Sequence, residues 1–152
     1  MKKKQSTQSF QTALVQLPFM VREDEGAPAL STPSAVNGIM ADTRNMAQEA
    51  FFVITLNTRN KMINRHMITL GLVDQAPVHP REVFRPAILD GATSIIVSHN
   101  HPTGDPAPSI EDKTTTKRLK DAGELIGIKL LDHVIIGRGE TPFFSLRESG
   151  LL

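Results

Sequence analysis

Two histidines separated by one residue, His99 and His101, are followed eleven positions later by Asp112. In an extended backbone residues i and i+2 project from the same face about 6 to 7 Å apart, so both imidazoles can grip one ion. The segment between, residues 102–108, holds three prolines and a glycine and must be a loop, long enough to swing a helix start back over the strand end. Two imidazoles and a carboxylate make a three-donor set that leaves one position of a zinc ion open to water. The chain has no Cys, so any metal must be held by nitrogen and oxygen. A plainer reading stands beside this one. The His pair also suits a polar loop flanked by turn prolines, and Ser109-Ile110-Glu111-Asp112 suits a capping box that closes a helix N-terminus. The two readings are compatible, because a residue near the third helical position projects back past the helix start.

The elements that must position these residues are legible in outline. The run Ile95-Ile96-Val97 is unbroken and of strand length, as expected of a central strand covered on both faces, and its C-terminal end delivers His99. Ser109 opens a helix to about Gly123, and a second buried strand follows from Ile128 to Ile136, with a last short strand near Pro142 to Leu146. Upstream, Ser34 is a fair N-cap for a helix carrying Val36, Ile39, Met40 and Met46 and running into Gln48-Glu49-Ala50. Phe51-Phe52-Val53-Ile54-Thr55-Leu56 is aromatic and β-branched, and Asn57-Thr58-Arg59-Asn60 offers turn residues before a returning strand from Lys61 to Leu70. His79-Pro80 starts another helix with Val83, Phe84, Ala87 and Ile88 as its apolar face. Pro86 removes an interior hydrogen bond there at a cost of about 3 kcal/mol, which predicts a kink or an early end. Interleaved helices and strands indicate an α/β domain with one mixed sheet flanked by helices.

The chain has 152 residues, 39% of them hydrophobic, which suits a single core. Residues 34–152 form that domain. Residues 1–33 mix Gln, Ser, Thr, Pro and short charge runs and read as a polar arm, either a flexible tail or a strand or hook packing on this domain or on a neighbour. Seventeen basic residues against sixteen acidic ones give a net charge of +1, so nothing global draws the chain to nucleic acid or to an acidic membrane. Met1-Lys2-Lys3-Lys4 is followed by polar residues, not by the apolar run of a signal peptide, and no stretch approaches the roughly 18 apolar residues of a membrane span. A soluble, cytoplasmic protein is expected.

The run from His99 to Asp112 fits His-x-His, seven residues, Ser, two residues, Asp. It resembles the JAMM (MPN-plus, JAB) zinc metallopeptidase motif. The wording His99-Asn100-His101-Pro102-Thr103-Gly104-Asp105-Pro106, with Pro80-Arg81-Glu82-Val83-Phe84 and Leu131-Asp132-His133-Val134-Ile135-Ile136, is similar to the RadC branch of that superfamily. The likeness covers roughly residues 49–152. It leaves out the helix-hairpin-helix region of longer RadC relatives and with it any inherited argument for DNA contact.

The resemblance implies a JAB/MPN-like fold with cytidine deaminase-like layering, and Zn2+ as cofactor. His99, His101 and Asp112 match the metal ligands. Ser109 matches the serine whose hydroxyl supports the bound water and the developing oxyanion. Glu49, just before the first strand, matches the glutamate that takes the proton from that water, with Glu82 as its rival. Zinc lowers the pKa of a bound water from about 16 toward about 7, and a carboxylate outside the coordination shell can accept the remaining proton. The implied activity is hydrolysis of an amide or isopeptide bond in an unidentified peptide or protein substrate. Asn100 stands where eukaryotic deubiquitinases carry serine or threonine, so a ubiquitin-like substrate is not implied. Lys113, Thr114 and Thr115 stand in the first turn of the helix, where relatives are expected to carry more apolar residues, and Pro86 interrupts the preceding helix; both bear on packing rather than ligation.

The alternative is a DNA-associated accessory module in repair or mobile-element biology without turnover, suggested by the RadC likeness and by Lys113, Lys117, Arg118 and Lys120 on one helix. A solvated basic face is the plainer account of those four residues, and no aromatic residue stands beside them for base stacking. His133 reads as a core histidine bonded to neighbouring backbone or carboxylate. His79 reads as a helix cap or turn residue, and His66 as facing solvent.

Overall fold

The computed structural model describes residues 26, 29–71 and 78–152. Most of the arm, and the segment 72–77, lie outside the described residues. The order of elements is α1 (Pro33–Ile39), β1 (Ala50–Leu56), β2 (Met62–Leu70), α2 (Pro80–Leu89), β3 (Ser94–Asn100), α3 (Ile110–Ile126), β4 (Lys129–Ile136) and β5 (Phe143–Ser145). The strands form one mixed sheet in the order β2-β1-β3-β4-β5. Only β3 and β4 run parallel, joined by α3 as the crossover, and the other neighbours pair antiparallel. The expected single mixed α/β domain is what forms.

Both faces of the sheet are covered, and the period-two alternation along the strands divides two cores. Phe51 and Val53 of β1, with Ile95 and Val97 of β3, face α2 and α3 and pack with Phe84, Ala87, Leu119 and Leu130. Phe52, Ile54 and Leu56, with Ile96, Val134 and Ile136, face the opposite way and pack with Val36 and Met40 around α1. β1 and β3 are buried along their whole length, which explains their unbroken apolar runs.

Several expectations need correction. The first helix is capped by Thr32, whose side chain accepts from the Ala35 N–H, and it ends at Ile39 rather than reaching residue 50; a short 3-10 turn at Ala41–Thr43 follows. Gly38 and the absence of a periodic apolar face beyond Met40 leave nothing to extend it. Residues 29–33, assigned to the arm from sequence, join the domain: Ala29 bridges to Lys61 and Leu30 is 3% exposed. Pro86 does not end α2, which continues to Leu89. The carbonyl that a Pro86 N–H would have served belongs to exposed Glu82, where water can replace it. Gly123 does not stop α3 either. A Cβ there would lie 2.5 Å from the Ile128 carbonyl oxygen and 3.1 Å from the Phe84 ring, so glycine permits α3 to press against its neighbours, and the helix ends three residues later, before Gly127 at φ 84°.

Candidate metal centre

A strand–helix–strand crossover returns the helix across the strands it joins, so the start of α3 lies near the C-terminal end of β3, the usual place for a site in α/β sheets. His99 shares the parity of Ile95 and Val97 and therefore faces α3; it is completely buried. His101 follows just beyond the strand. Its backbone N–H bonds to the Ile136 carbonyl, and the Gly104 N–H bonds back to the His101 carbonyl, both at 2.9 Å. The loop is also fixed from the β4–β5 side. The Arg138 N–H donates to the Gly104 carbonyl at 2.7 Å, and the Arg138 guanidinium donates to the Pro102 carbonyl. Gly137 allows this approach, because a Cβ there would sit 2.5 Å from the Gly104 oxygen.

Ser109 caps α3, accepting from the Asp112 N–H at 3.0 Å, while Asp112 Oδ2 accepts from the Ser109 N–H at 2.7 Å. The capping box is real, and it aims Asp112 back toward the strand end. The cap does not prevent Asp112 from reaching the strand end, as the sequence allowed.

The three side chains converge. His99 Nε2 lies 2.9 Å from His101 Nε2 and 3.2 Å from Asp112 Oδ1, and His101 Nε2 lies 3.6 Å from Asp112 Oδ2. Among the described residues this is the group of histidines and carboxylates whose ligand atoms come close enough together to hold a metal ion. In a tetrahedron with bonds of about 2.0 to 2.1 Å, neighbouring donors stand about 3.3 Å apart. The separations of 2.9 Å between the two nitrogens, 3.2 Å from His99 to Oδ1 and 3.6 Å from His101 to Oδ2 lie around that length, although the last two end on different oxygens of the carboxylate. His101 Nδ1 is 2.7 Å from the Asp105 carbonyl, which only accepts, so the hydrogen is on Nδ1 and the lone pair of Nε2 points into the cluster. Two ring nitrogens 2.9 Å apart repel unless a proton or a cation lies between them. The donor set therefore fits a divalent cation on its own chemistry.

The electrostatics agree. Burial raises the Asp112 carboxyl, but the His101 and His99 rings and the Ser109 hydroxyl lower it by more, holding it well below the usual carboxylate range. His101 is raised, chiefly by its hydrogen bond with Asp112, against burial, with smaller help from the Asp105 carbonyl and the charge of Glu49. A proton thus competes with a cation for the same space.

Around this centre the structure settles where the remaining predicted residues lie. Phe51 pairs with His99 at the end of the β1–β3 ladder, and Glu49 stands two residues before Phe51, just ahead of β1. Glu49 is exposed, and its charge acts on His101. Glu82 lies in the first turn of α2 and pairs with its neighbour Arg81 at 3.1 Å. The Ser109 hydroxyl donates to Asp112 Oδ2 at 2.7 Å.

His133 departs from its expectation of a backbone or carboxylate partner: its ring nitrogens bond His99 Nδ1 at 2.8 Å and the Thr116 hydroxyl at 2.6 Å. Burial pushes its pKa well down, helped by the charges of His99 and His101, so it stays neutral. Asn100, read from sequence only for what it implies about a ubiquitin-like substrate, is fully buried and spans to β1, accepting from the Ala50 N–H and donating to the Gln48 carbonyl. The signal available for both was a polar residue inside an otherwise apolar strand. His66 does not simply face solvent: it is half-buried and bonds Asp90 at 2.7 Å. His79 is the N-cap of α2, as expected.

The sequence profile of the RadC-like JAB domain matches residues 30–151. The chain belongs to that family. The RadC-like domain is 44% identical over 133 residues to a UPF0758 protein of Rubrobacter xylanophilus, covering 87% of this chain and 57% of the relative. It is 53% identical over 112 residues to a UPF0758 protein of Geobacillus sp. strain WCH70, covering 74% of this chain and 49% of the relative. A Bacillus licheniformis UPF0758 protein is 48% identical over 118 residues. The chain thus spans about half the length of the curated relatives it matches. No helix of the RadC-like domain is long and apolar enough to cross a membrane among the described residues.

Proposed function

We propose that this chain is a zinc-dependent hydrolase of the JAMM type that cleaves an amide or isopeptide bond in a peptide or protein. The observation that carries the reading is the convergence of His99 Nε2, His101 Nε2 and the Asp112 carboxylate, with the nitrogens 2.9 Å apart and 3.2 Å (Oδ1) and 3.6 Å (Oδ2) from the carboxylate, a three-residue donor set that leaves a fourth position of a small tetrahedral cation over. Zinc, when bound, supplies Lewis acidity that brings deprotonation of water into the neutral range and polarises the scissile carbonyl. The protein supplies the rest. His99, His101 and Asp112 hold the ion. Glu49, just ahead of β1 and outside the cluster, with its charge acting on His101, is the proton acceptor for the attacking water and returns that proton to the leaving amine. The Ser109 hydroxyl orients the Asp112 carboxylate and, turned toward the substrate, donates to the developing oxyanion.

The test is zinc-loaded protein against a peptide library, beside Glu49→Gln. Cleavage by the parent, with loss of about 10²- to 10⁴-fold in the variant at unchanged zinc content, is expected. A parent that takes up no zinc at neutral pH would sink the reading, and full turnover in Glu49→Gln would remove only the assignment of the base.

The DNA-associated alternative has less behind it. Lys113, Lys117 and Arg118 are exposed on α3, but Glu111, Asp121 and Glu124 are exposed on the same helix and offset them. Salt-dependent duplex binding that weakens in a Lys117→Glu, Arg118→Glu double variant is the result that favours it.

A further inference from the structure

Behind the cluster, away from the open side, a line of polar groups runs through the buried space between β3, β4 and α3. His99 Nδ1 is 2.8 Å from His133 Nε2, His133 Nδ1 is 2.6 Å from Thr116 Oγ1, and Thr116 Oγ1 is 2.6 Å from the backbone carbonyl of Asp112. His99, Thr116 and His133 are each completely buried. For neutral imidazoles the protons on this line can be assigned in one way. A backbone carbonyl only accepts, so at 2.6 Å the Thr116 hydroxyl must donate to the Asp112 oxygen. The hydroxyl hydrogen is then committed, and His133 Nδ1 must donate to Thr116. His133 Nε2 is left as an acceptor, which requires a hydrogen on His99 Nδ1. The lone pair of His99 Nε2 is thereby aimed into the cluster.

We infer that His133, locked by Thr116, is a positioning residue that fixes the tautomer and ring orientation of His99 for metal binding. The inference rests on the reading of His99 as a metal-facing donor. It adds a chain that closes on itself: the line begins at His99 on the strand and ends on the backbone of Asp112 on the helix. The His99 side chain on the strand and the Asp112 backbone on the helix are thus tied together through His133 and Thr116. Phe51 holds the same rings from the β1 side, stacked on His99 at 5.8 Å between centroids with 13° between planes, and edge-on to His133 at 5.6 Å. A ring so confined on its faces needs only its hydrogen position set, which is the part His133 supplies.

The experiment compares the parent with His133→Gln, His133→Leu and Thr116→Val for zinc affinity by chelator competition, and reads histidine tautomers by nitrogen–proton correlation NMR in the parent without metal. The parent is expected to show His99 and His133 as the Nδ1–H forms. Zinc affinity falls about 10- to 100-fold in His133→Leu and in Thr116→Val, and His133→Gln, whose amide oxygen can accept from His99 Nδ1–H, recovers part of the loss. Folded Thr116→Val with parental affinity overturns the inference, as does an Nε2–H form of His99 in the parent. The tautomer measurement needs no variant to fold. A parent that binds no zinc while showing the predicted tautomers defeats the hydrolase reading instead, so the two failures are told apart.

Discussion

Asn100 Oδ1 accepts a hydrogen bond from the Ala50 N–H at 2.8 Å, tying the first residue of β1 to the strand residue between the two site histidines. The other end of the same amide donates to the Gln48 carbonyl at 3.1 Å, and the Gly71 N–H donates to the Glu49 carbonyl at 2.7 Å. Glu49 is therefore held by its own backbone and by both its neighbours, although its side chain is exposed.

Asn100→Ala is expected to cost about 1–3 kcal/mol of stability, because it strips partners from a buried N–H. On the proposed function, zinc uptake should change little and hydrolysis should fall about tenfold or more, since the proposed proton acceptor Glu49 loses its anchor while the proposed metal donors keep theirs. Thermal melting, zinc titration and turnover on one preparation check this, and unchanged turnover would refute it.

Zinc should stabilise the fold. At a free concentration one hundred times its Kd a ligand adds about 2.7 kcal/mol, which for a domain of this size raises Tm by on the order of 10 °C. His99→Ala and Asp112→Ala should each abolish that rise, and a chelator should remove it from the parent together with hydrolysis. A melting temperature indifferent to zinc would count against the metal site.

Zinc affinity should fall on acidification. A ligating imidazole must be unprotonated, and His101 is raised above its ordinary value of 6.5 by Asp112, so the proton begins to compete above that pH. Asp112 is lowered and stays charged, leaving His101 in control of the upper end of the window. The expected slope is about tenfold in affinity per pH unit for each proton displaced, measured by competition titrations from pH 8 down to pH 5. A flat profile would be incompatible with ligation by His101.

Asp132 fastens the C-terminal segment. It accepts from the His133 N–H at 2.7 Å, the Ser145 hydroxyl at 2.7 Å and the Arg147 N–H at 3.1 Å. Asp132→Ala should cost about 2–4 kcal/mol by leaving these donors unmatched. Burial raises its carboxyl, so its titration contributes stability that is full below the unfolded value near 3.8 and is lost as pH rises through the folded value. Denaturant unfolding across that range should show the slope in the parent and not in Asp132→Asn.

Gly137→Ala tests the support of the histidine loop. The added Cβ would stand 2.5 Å from the Gly104 oxygen and 2.7 Å from Pro106 Cδ. Displacing that loop moves His101, so zinc affinity should drop together with about 1–3 kcal/mol of stability. Parental values for both would mean that the loop has slack.

Much of the site was legible because it is local. His99, His101, Ser109 and Asp112 fall within fourteen residues, and strand parity with helix capping dictates how such residues face one another. The hairpin of β1 and β2 was legible for the same reason: Asn57 Oδ1 accepts from the Arg59 and Lys61 N–H groups, and Asn60 takes the left-handed φ of 56°. The first helix was misjudged because Met46 packs on the same core as Val36 and Met40 without being helical: Gly38 and the lack of a periodic apolar face past Met40 stop the helix at Ile39.

The sequence by itself determined which donor side chains gather at the end of β3, through residue types and short spacings. Tertiary structure decided what stands behind them. His133 lies 34 residues from His99, and its orientation depends on a register shift between β3 and β4: Ile95 pairs with Leu130, but Ile96 pairs with Asp132. Strict alternation from Leu130, which faces α3, would turn Asp132 toward that helix and His133 away from it. The one-residue irregularity reverses them, bringing an imidazole rather than a carboxylate against His99. Pairing register is a property of two strands packed together, and neither strand's sequence contains it alone.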